Sequence, residues 1–191
     1  MLGKRAQRAY LEHNSVNSRI ILISLRGKYK NFKDIQVYAP DSSYEDEDVE
    51  NFYSQLEEEI ETIKTGDVVI VIGDFNSKIG NDRRGYEYVM GEFGLGERNE
   101  RGQRMLEFSQ GKQLCISKTY FYHREQHKYT WTHPDGIHKN CIDYILINKR
   151  WKSSVMGTKV MRGTDFGTSH ELLLLNFRQT EEEIKNYSGI M

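Results

Sequence analysis

Apolar positions along the chain alternate between two periods. Arg19–Leu25 and Lys33–Ala39 are β-rich runs joined by Gly27-Lys28-Tyr29-Lys30-Asn31, a pattern that predicts a hairpin. Val49, Phe52, Tyr53, Leu56, Ile60 and Ile63 then recur at helical spacing. They predict an amphipathic helix that starts near Ser43 or Asp46 and ends before Gly66. Asp67–Ile72 follows as an unbroken β-branched apolar run, the mark of a strand buried on both faces. Asn81–Glu97 is rich in glycine and charge and reads as a long loop. Asn99 suits the N-cap of a helix that carries Arg104, Leu106 and Phe108 and ends near Gly111. Leu114–Ser117, Tyr129–Thr132, Cys141–Ile147, Val155–Met161 and Glu171–Phe177 complete the expected strands, with a turn at His133-Pro134-Asp135-Gly136. Many strands with few helices between them predict an α/β sandwich of packed sheets, not a doubly wound fold. Residues 1–178 are expected to form the domain, and the polar stretch 179–191 a fraying tail.

The length of 191 residues suits one domain with a single core. The longest apolar runs, Val68–Ile72 and Leu172–Leu175, are far too short to span a bilayer. No apolar h-region follows the basic start Met1-Leu2-Gly3-Lys4-Arg5, so no secretory signal is read there. Cys115 and Cys141 each sit in an apolar run and read as buried free thiols. The net charge of −1 hides an uneven distribution. Asp41–Glu61 holds ten acidic residues and no basic one, whereas Asn148–Arg162 holds five basic and no acidic residues. Two readings stay open: a solvated acidic helix beside an ordinary basic loop, or a basic segment that faces a phosphate backbone while the acidic helix faces away.

Candidate chemistry begins at Gly73-Asp74-Phe75-Asn76, where a buried strand ends. Side-chain alternation puts Asp74 and Asn76 on one face and Phe75 toward the core. A carboxylate and an amide at a strand's carboxyl end suit a hard cation with a phosphate oxygen. The same residues also suit a plain turn before Gly80. Tyr38 ends another strand, either as a hydrogen-bond donor to phosphate or as a half-buried amphipathic residue. Asp143 lies inside an apolar strand and needs a partner, because an unpaired buried charge is costly. His170, in Thr168-Ser169-His170, is a candidate for that partner in general-base work. His123 and His127 stand four residues apart without the glutamate position of a zinc helix, and His133 and His138 read as exposed residues flanking a turn.

Taken in order, Ile35–Pro40, Gly73–Gly80, Tyr129–Thr132, Ile142–Leu146 and Thr168–His170 resemble the endonuclease/exonuclease/phosphatase superfamily. More narrowly, they resemble the apurinic-type endonuclease domain of LINE-like (non-LTR) retrotransposons and the craniofacial-development-protein-2-like proteins derived from it. The resemblance extends over roughly residues 4–178. It implies a four-layered α/β sandwich and Mg2+- (or Mn2+-) dependent phosphodiester hydrolysis, with DNA nicked and no small-molecule cofactor. Action on genomic DNA would place the protein in the nucleus. In that resemblance Asp74 positions or activates water, Asn76 holds phosphate or metal and Tyr38 contacts phosphate. Thr130 supplies a hydroxyl near substrate, and His170, oriented by Asp143, stabilises developing charge. Ser169 stands where the family carries a metal-holding aspartate, so weaker Mg2+ binding is expected. The family's opening strands, with an asparagine and the main glutamate ligand, have no counterpart before Asn17. The expected consequences are an open sheet edge, an uncovered core face and, as the alternative function, an inactive remnant or binding protein that keeps the nuclease fold.

Overall fold

The computed structural model describes residues 4–161 and 168–179. Its elements in chain order are α1 (Lys4–Ala9), β1 (Tyr10–Ser15), β2 (Ile20–Leu25), β3 (Phe32–Tyr38), α2 (Asp46–Glu61), β4 (Val68–Asp74), β5 (Ile79–Gly80), β6 (Leu95–Arg98), α3 (Glu100–Gly111), β7 (Leu114–Ile116), β8 (Trp131–Thr132), β9 (Lys139–Asn140), β10 (Asp143–Asn148), β11 (Val155–Met161) and β12 (Leu172–Phe177). Short 3-10 segments cover Ser117–Tyr120, Glu125–His127 and Lys149–Ser154. Most of the expected tail, and Arg162 at the end of the basic run, lie outside the described residues.

The main sheet has six strands in the order β1-β2-β3-β4-β10-β7. β2 and β3 form the expected antiparallel hairpin. β3 and β4 are parallel, and α2 is the crossover that a parallel pair requires. β4 then pairs antiparallel with β10, and β10 with β7. β4 is central because Val69 and Val71 face one hydrophobic cluster while Val68 faces another. Such a run stays dry on both faces only inside a sandwich.

The two long helices cover one face of this sheet. Val49, Phe52, Tyr53 and Leu56 of α2 are buried at spacings of three and four, and Met105, Leu106 and Phe108 play the same part in α3. Burying each such side chain stabilises the fold by about 1.5–3 kcal/mol, and Leu56→Ala would remove about 2–5 kcal/mol. Tyr53 and Phe108 meet with ring centroids 5.0 Å apart, which ties the helices to each other. The acidic face of α2 is engaged, not merely solvated. Asp46 pairs with Arg101, Glu50 with Arg104, and Glu57 and Glu61 with Lys112. Asn99 caps α3 as expected, its side chain accepting from the Gly102 amide.

The opposite face of the main sheet meets a second sheet, β11–β12. Phe177 of β12 stands against Phe32 and Trp151, with Val68, Cys115 and Ile147 beneath them. The expected α/β sandwich of packed sheets and helices is therefore what the described residues form. The second sheet covers the main one incompletely. Ile21 remains 41% exposed, and β1, all six of its residues exposed, forms an edge of the main sheet. The expectation of buried thiols holds for Cys115, whereas Cys141 is half-buried and both are free. No helix among the described residues is long and apolar enough to cross a membrane.

Candidate active site

Three neighbouring strands bring their chemistry into one row. Tyr38 at the end of β3 is in register with Asp74 at the end of β4, and Asp74 is in register with Asp143 at the start of β10. Gly73 makes this close approach workable. Its φ is +152°, and a Cβ there would lie 1.9 Å from the Val37 carbonyl oxygen of the adjacent strand. Past the row the chain turns. The Asn76 amide donates to Asp74 Oδ1, and the Asn76 side chain donates to the Ala39 carbonyl at the end of β3. Asn76 has φ +47°, a left-handed conformation that asparagine tolerates better than most residues. Phe75 points inward, 1% exposed, and packs edge-on against Tyr144.

His170 reaches the row from a distant part of the sequence. It bridges to Trp131 of β8, and flanking backbone bonds run from Thr132 to the Ser169 carbonyl and from Glu171 to the Thr130 carbonyl. His170 Nδ1 stands 3.1 Å from both carboxylate oxygens of Asp143, and Nε2 stands 3.9 Å from Asp74 Oδ2. An ionised carboxylate only accepts, so Nδ1 carries the proton and Nε2 turns toward Asp74. Burial raises both acids. Asp74 is pushed up to about 6, opposed by the Asn76 amide and His170 and reinforced by Asp143. Asp143 is raised by burial, and Thr130 and His170 hold it back in part.

Asp74, Asp143 and His170 thus converge, with Tyr38 alongside and 51% exposed. Thr130 is placed differently from expectation. It is fully buried, and its hydroxyl accepts the amides of Ile142 and Asp143. It fixes the course of the chain into Asp143 and has no surface of its own for a substrate. Ser169 is exposed and presents no carboxylate to the cluster. The basic segment is also displaced. Lys149, Arg150 and Lys152 follow the end of β10, whereas Asp143 begins it. Five strand steps separate the two ends by about 17 Å. A cleft of about 500 Å3 adjoins those cations, away from the acid–imidazole cluster. Nearer the site in the chain are Lys78 and Lys139, which line a groove of about 310 Å3 together with Glu97, Glu125, Tyr129 and Asn140, so its lining charges balance. His123 hydrogen-bonds the Thr158 carbonyl and His127 lies by Gln126, so neither joins the cluster. Lys118, which sequence patterning does not single out, is buried, and its ammonium reaches the Lys128 carbonyl and Cys141 Sγ while favouring ionised Asp143.

The donor set suits a hard cation. Among the described residues Asp74 Oδ2 pairs with no lysine or arginine, its nearest ring nitrogen is His170 Nε2 at 3.9 Å, and the Asn76 amide oxygen is unengaged. Oxygen donors of this kind fit Mg2+ or Mn2+ better than a soft metal.

No family model matches the sequence. The chain is 39% identical over 178 residues to craniofacial development protein 2 of Bos taurus and equally to that of Tragulus javanicus. These alignments cover 93% of this chain but only 30% and 31% of the relatives, so the chain spans less than a third of their length. Among solved structures, it resembles the 3′ phosphatase NExo from Neisseria bound to product DNA hairpin, with a TM-score of 0.62 and 17% identity over 84% of this chain and 65% of that one. It also resembles the endonuclease domain of TRAS1, a telomere-specific non-LTR retrotransposon, with a TM-score of 0.61 and 13% identity over 90% of this chain and 70% of that one. An endonuclease/exonuclease/phosphatase family protein from Leptotrichia buccalis follows at a TM-score of 0.58, with 15% identity over 84% of this chain and 53% of that one. By sequence the chain is similar to one part of craniofacial development protein 2, and its fold is the one seen in the solved endonuclease/exonuclease/phosphatase structures.

Proposed function

We propose that this chain hydrolyses phosphodiester bonds in DNA with a divalent cation, as a nicking endonuclease. The observation that carries the reading is the Asp74–Asp143–His170 cluster, its two acids in register with each other and with Tyr38 and its imidazole brought in by the bridge to Trp131. Asp74 and Asn76 would hold the cation. The cation, when bound, supplies charge neutralisation and Lewis acidity at the phosphate. Asp74, as a carboxylate, would orient the attacking water beside the cation. His170, its ring fixed by Asp143, presents Nε2 to the charge that develops on the phosphate or leaving oxygen. Tyr38 donates a hydrogen bond to a phosphate oxygen. Asp143 and Thr130 act as positioning residues.

Supercoiled plasmid nicking by the purified, folded chain in Mg2+ and in Mn2+ tests this reading. Wild-type protein should nick, and Asp74→Ala should lower the rate at least ~100-fold. A folded wild type that nicks in neither metal overturns the proposal. Ser169 favours a second reading, a DNA-binding protein that has lost turnover, because it leaves the cluster without a further carboxylate. Plasmid binding without nicking, with cleavage appearing in Ser169→Asp, would decide for that second reading.

A further inference from the structure

The β8–β9 hairpin closes tightly. The His133 amide donates to the His138 carbonyl, and the Gly136 amide donates back to His133. Gly136 adopts φ +71° at the tip. Within this turn the Asp135 carboxylate is fixed by one oxygen, because Oδ1 accepts the amides of Ile137 and His138. The other oxygen, Oδ2, stands 3.1 Å from His133 Nδ1 and 2.5 Å from His138 Nδ1. Two imidazole nitrogens and one carboxylate oxygen therefore gather within 4.8 Å of one another. Contacts within the turn hold both rings there, since His133 Nδ1 also accepts the Asp135 amide and His138 Nδ1 pairs with Oδ2, so the three donors are gathered before any ion arrives.

We infer that His133, Asp135 and His138 form a binding site for one late first-row divalent cation, of the zinc class, separate from the cluster around Asp74. Donors around a single tetrahedral zinc, at about 2.0–2.1 Å each, stand about 3.3 Å apart. The Asp135 Oδ2–His133 separation is near that value already, and His138 needs only a small side-chain rotation because it is exposed. Imidazole with carboxylate selects Zn2+, Co2+, Ni2+ or Cu2+ over Mg2+, which prefers oxygen alone. Three protein donors leave one position open to solvent, as catalytic and interfacial zinc sites do and closed structural ones do not. A placement follows from the backbone. The hairpin base carries Thr130 and bridges to His170, so an ion at the tip would brace the same β-ribbon from its other end.

Calorimetric titration of Zn2+ into the full chain, in buffer free of chelators, tests the site. The expected result is one Zn2+ per chain, with affinity falling more than about tenfold in His133→Ala and in His138→Ala. Both side chains are at least half exposed, so neither change threatens the fold. Asp135→Asn keeps the Oδ1 turn contacts and should also weaken binding. Asp74→Asn and His170→Ala should leave it unchanged. Absence of Zn2+ binding overturns the inference. So does binding that survives the double change His133→Ala/His138→Ala, or that disappears in His170→Ala. None of these outcomes depends on plasmid nicking, so the two proposals fail independently.

Discussion

Replacing Asp74 by asparagine should make the protein more stable and, at the same time, inactive. In the folded chain the Asp74 carboxyl is raised to about 6 from an ordinary 3.8, chiefly because it is buried and secondarily because Asp143 is its neighbour. A raised carboxyl means that the folded state holds its proton more tightly than the unfolded state does. The stabilisation from that proton is complete below about 3.8 and is lost as pH rises through about 6. At pH 7 the folded protein therefore carries a carboxylate that unfolding would solvate better. A shift of about two units corresponds to roughly 3 kcal/mol at most. Solvent reaching the side chain, 12% exposed, reduces this to about 1–2 kcal/mol. Asparagine keeps an oxygen to accept the Asn76 amide but carries no charge. For a chain of this size Asp74→Asn should raise Tm by roughly 3–6 °C at pH 7, and the gap should close toward pH 4. If Asp74 holds a cation, Mg2+ at tenfold its Kd stabilises the wild type by about 1.4 kcal/mol and leaves the variant unchanged. Thermal unfolding from pH 4 to 8, with and without Mg2+, provides the readout. A variant less stable than wild type at pH 7, or a difference that ignores pH, would refute the assignment of burial as the dominant cause.

Three further substitutions probe the scaffold. Gly73→Ala should destabilise by about 3 kcal/mol or more in urea unfolding, because its Cβ would strike the Val37 carbonyl at 1.9 Å and no flexible side chain can yield. Thr130→Val strips the Ile142 and Asp143 amides of their buried acceptor and should cost about 2–4 kcal/mol. Thr130→Ser should recover most of it, and the NMR resonances of the His170 ring should shift in the valine variant only. Asn99→Ala removes the cap of α3 and the partner of the Lys78 amide, for a loss of about 1–2 kcal/mol by the same denaturant measurement.

Features encoded by neighbours in the chain were legible in the sequence. The spacing from Val49 to Leu56, the Asn99 cap and the apolar run into Asp74 each became the element they predict. Strand order was not legible, because it depends on which edges meet and not on any local period. β1 escaped notice for a related reason: Tyr10–Ser15 is exposed throughout and carries no alternation. At the site, Asp143 announced itself as a charge inside an apolar strand. Its contact with His170, 27 residues away, rests on the bridge to Trp131, which no spacing encodes. The basic run was read correctly as basic but could not be positioned, since β10 carries it to the far end of the sheet. The family resemblance implied a substrate-facing Thr130, and nothing local in the sequence tells that its hydroxyl meets two buried amides.

The row formed by Tyr38, Asp74 and Asp143 also bears on how such a chain can change over generations. Ladder hydrogen bonds set each position, so deleting one residue from β4 would put Phe75 where Asp74 stands and turn the apolar side chains of that strand to the wrong faces. Point substitutions can silence the cluster while the strands persist, whereas a single-codon loss in β4 removes chemistry and fold together. Length variation should therefore accumulate in the exposed turn around Gly85, ahead of the buried Val89 and Met90, and spare the strands on either side of the row.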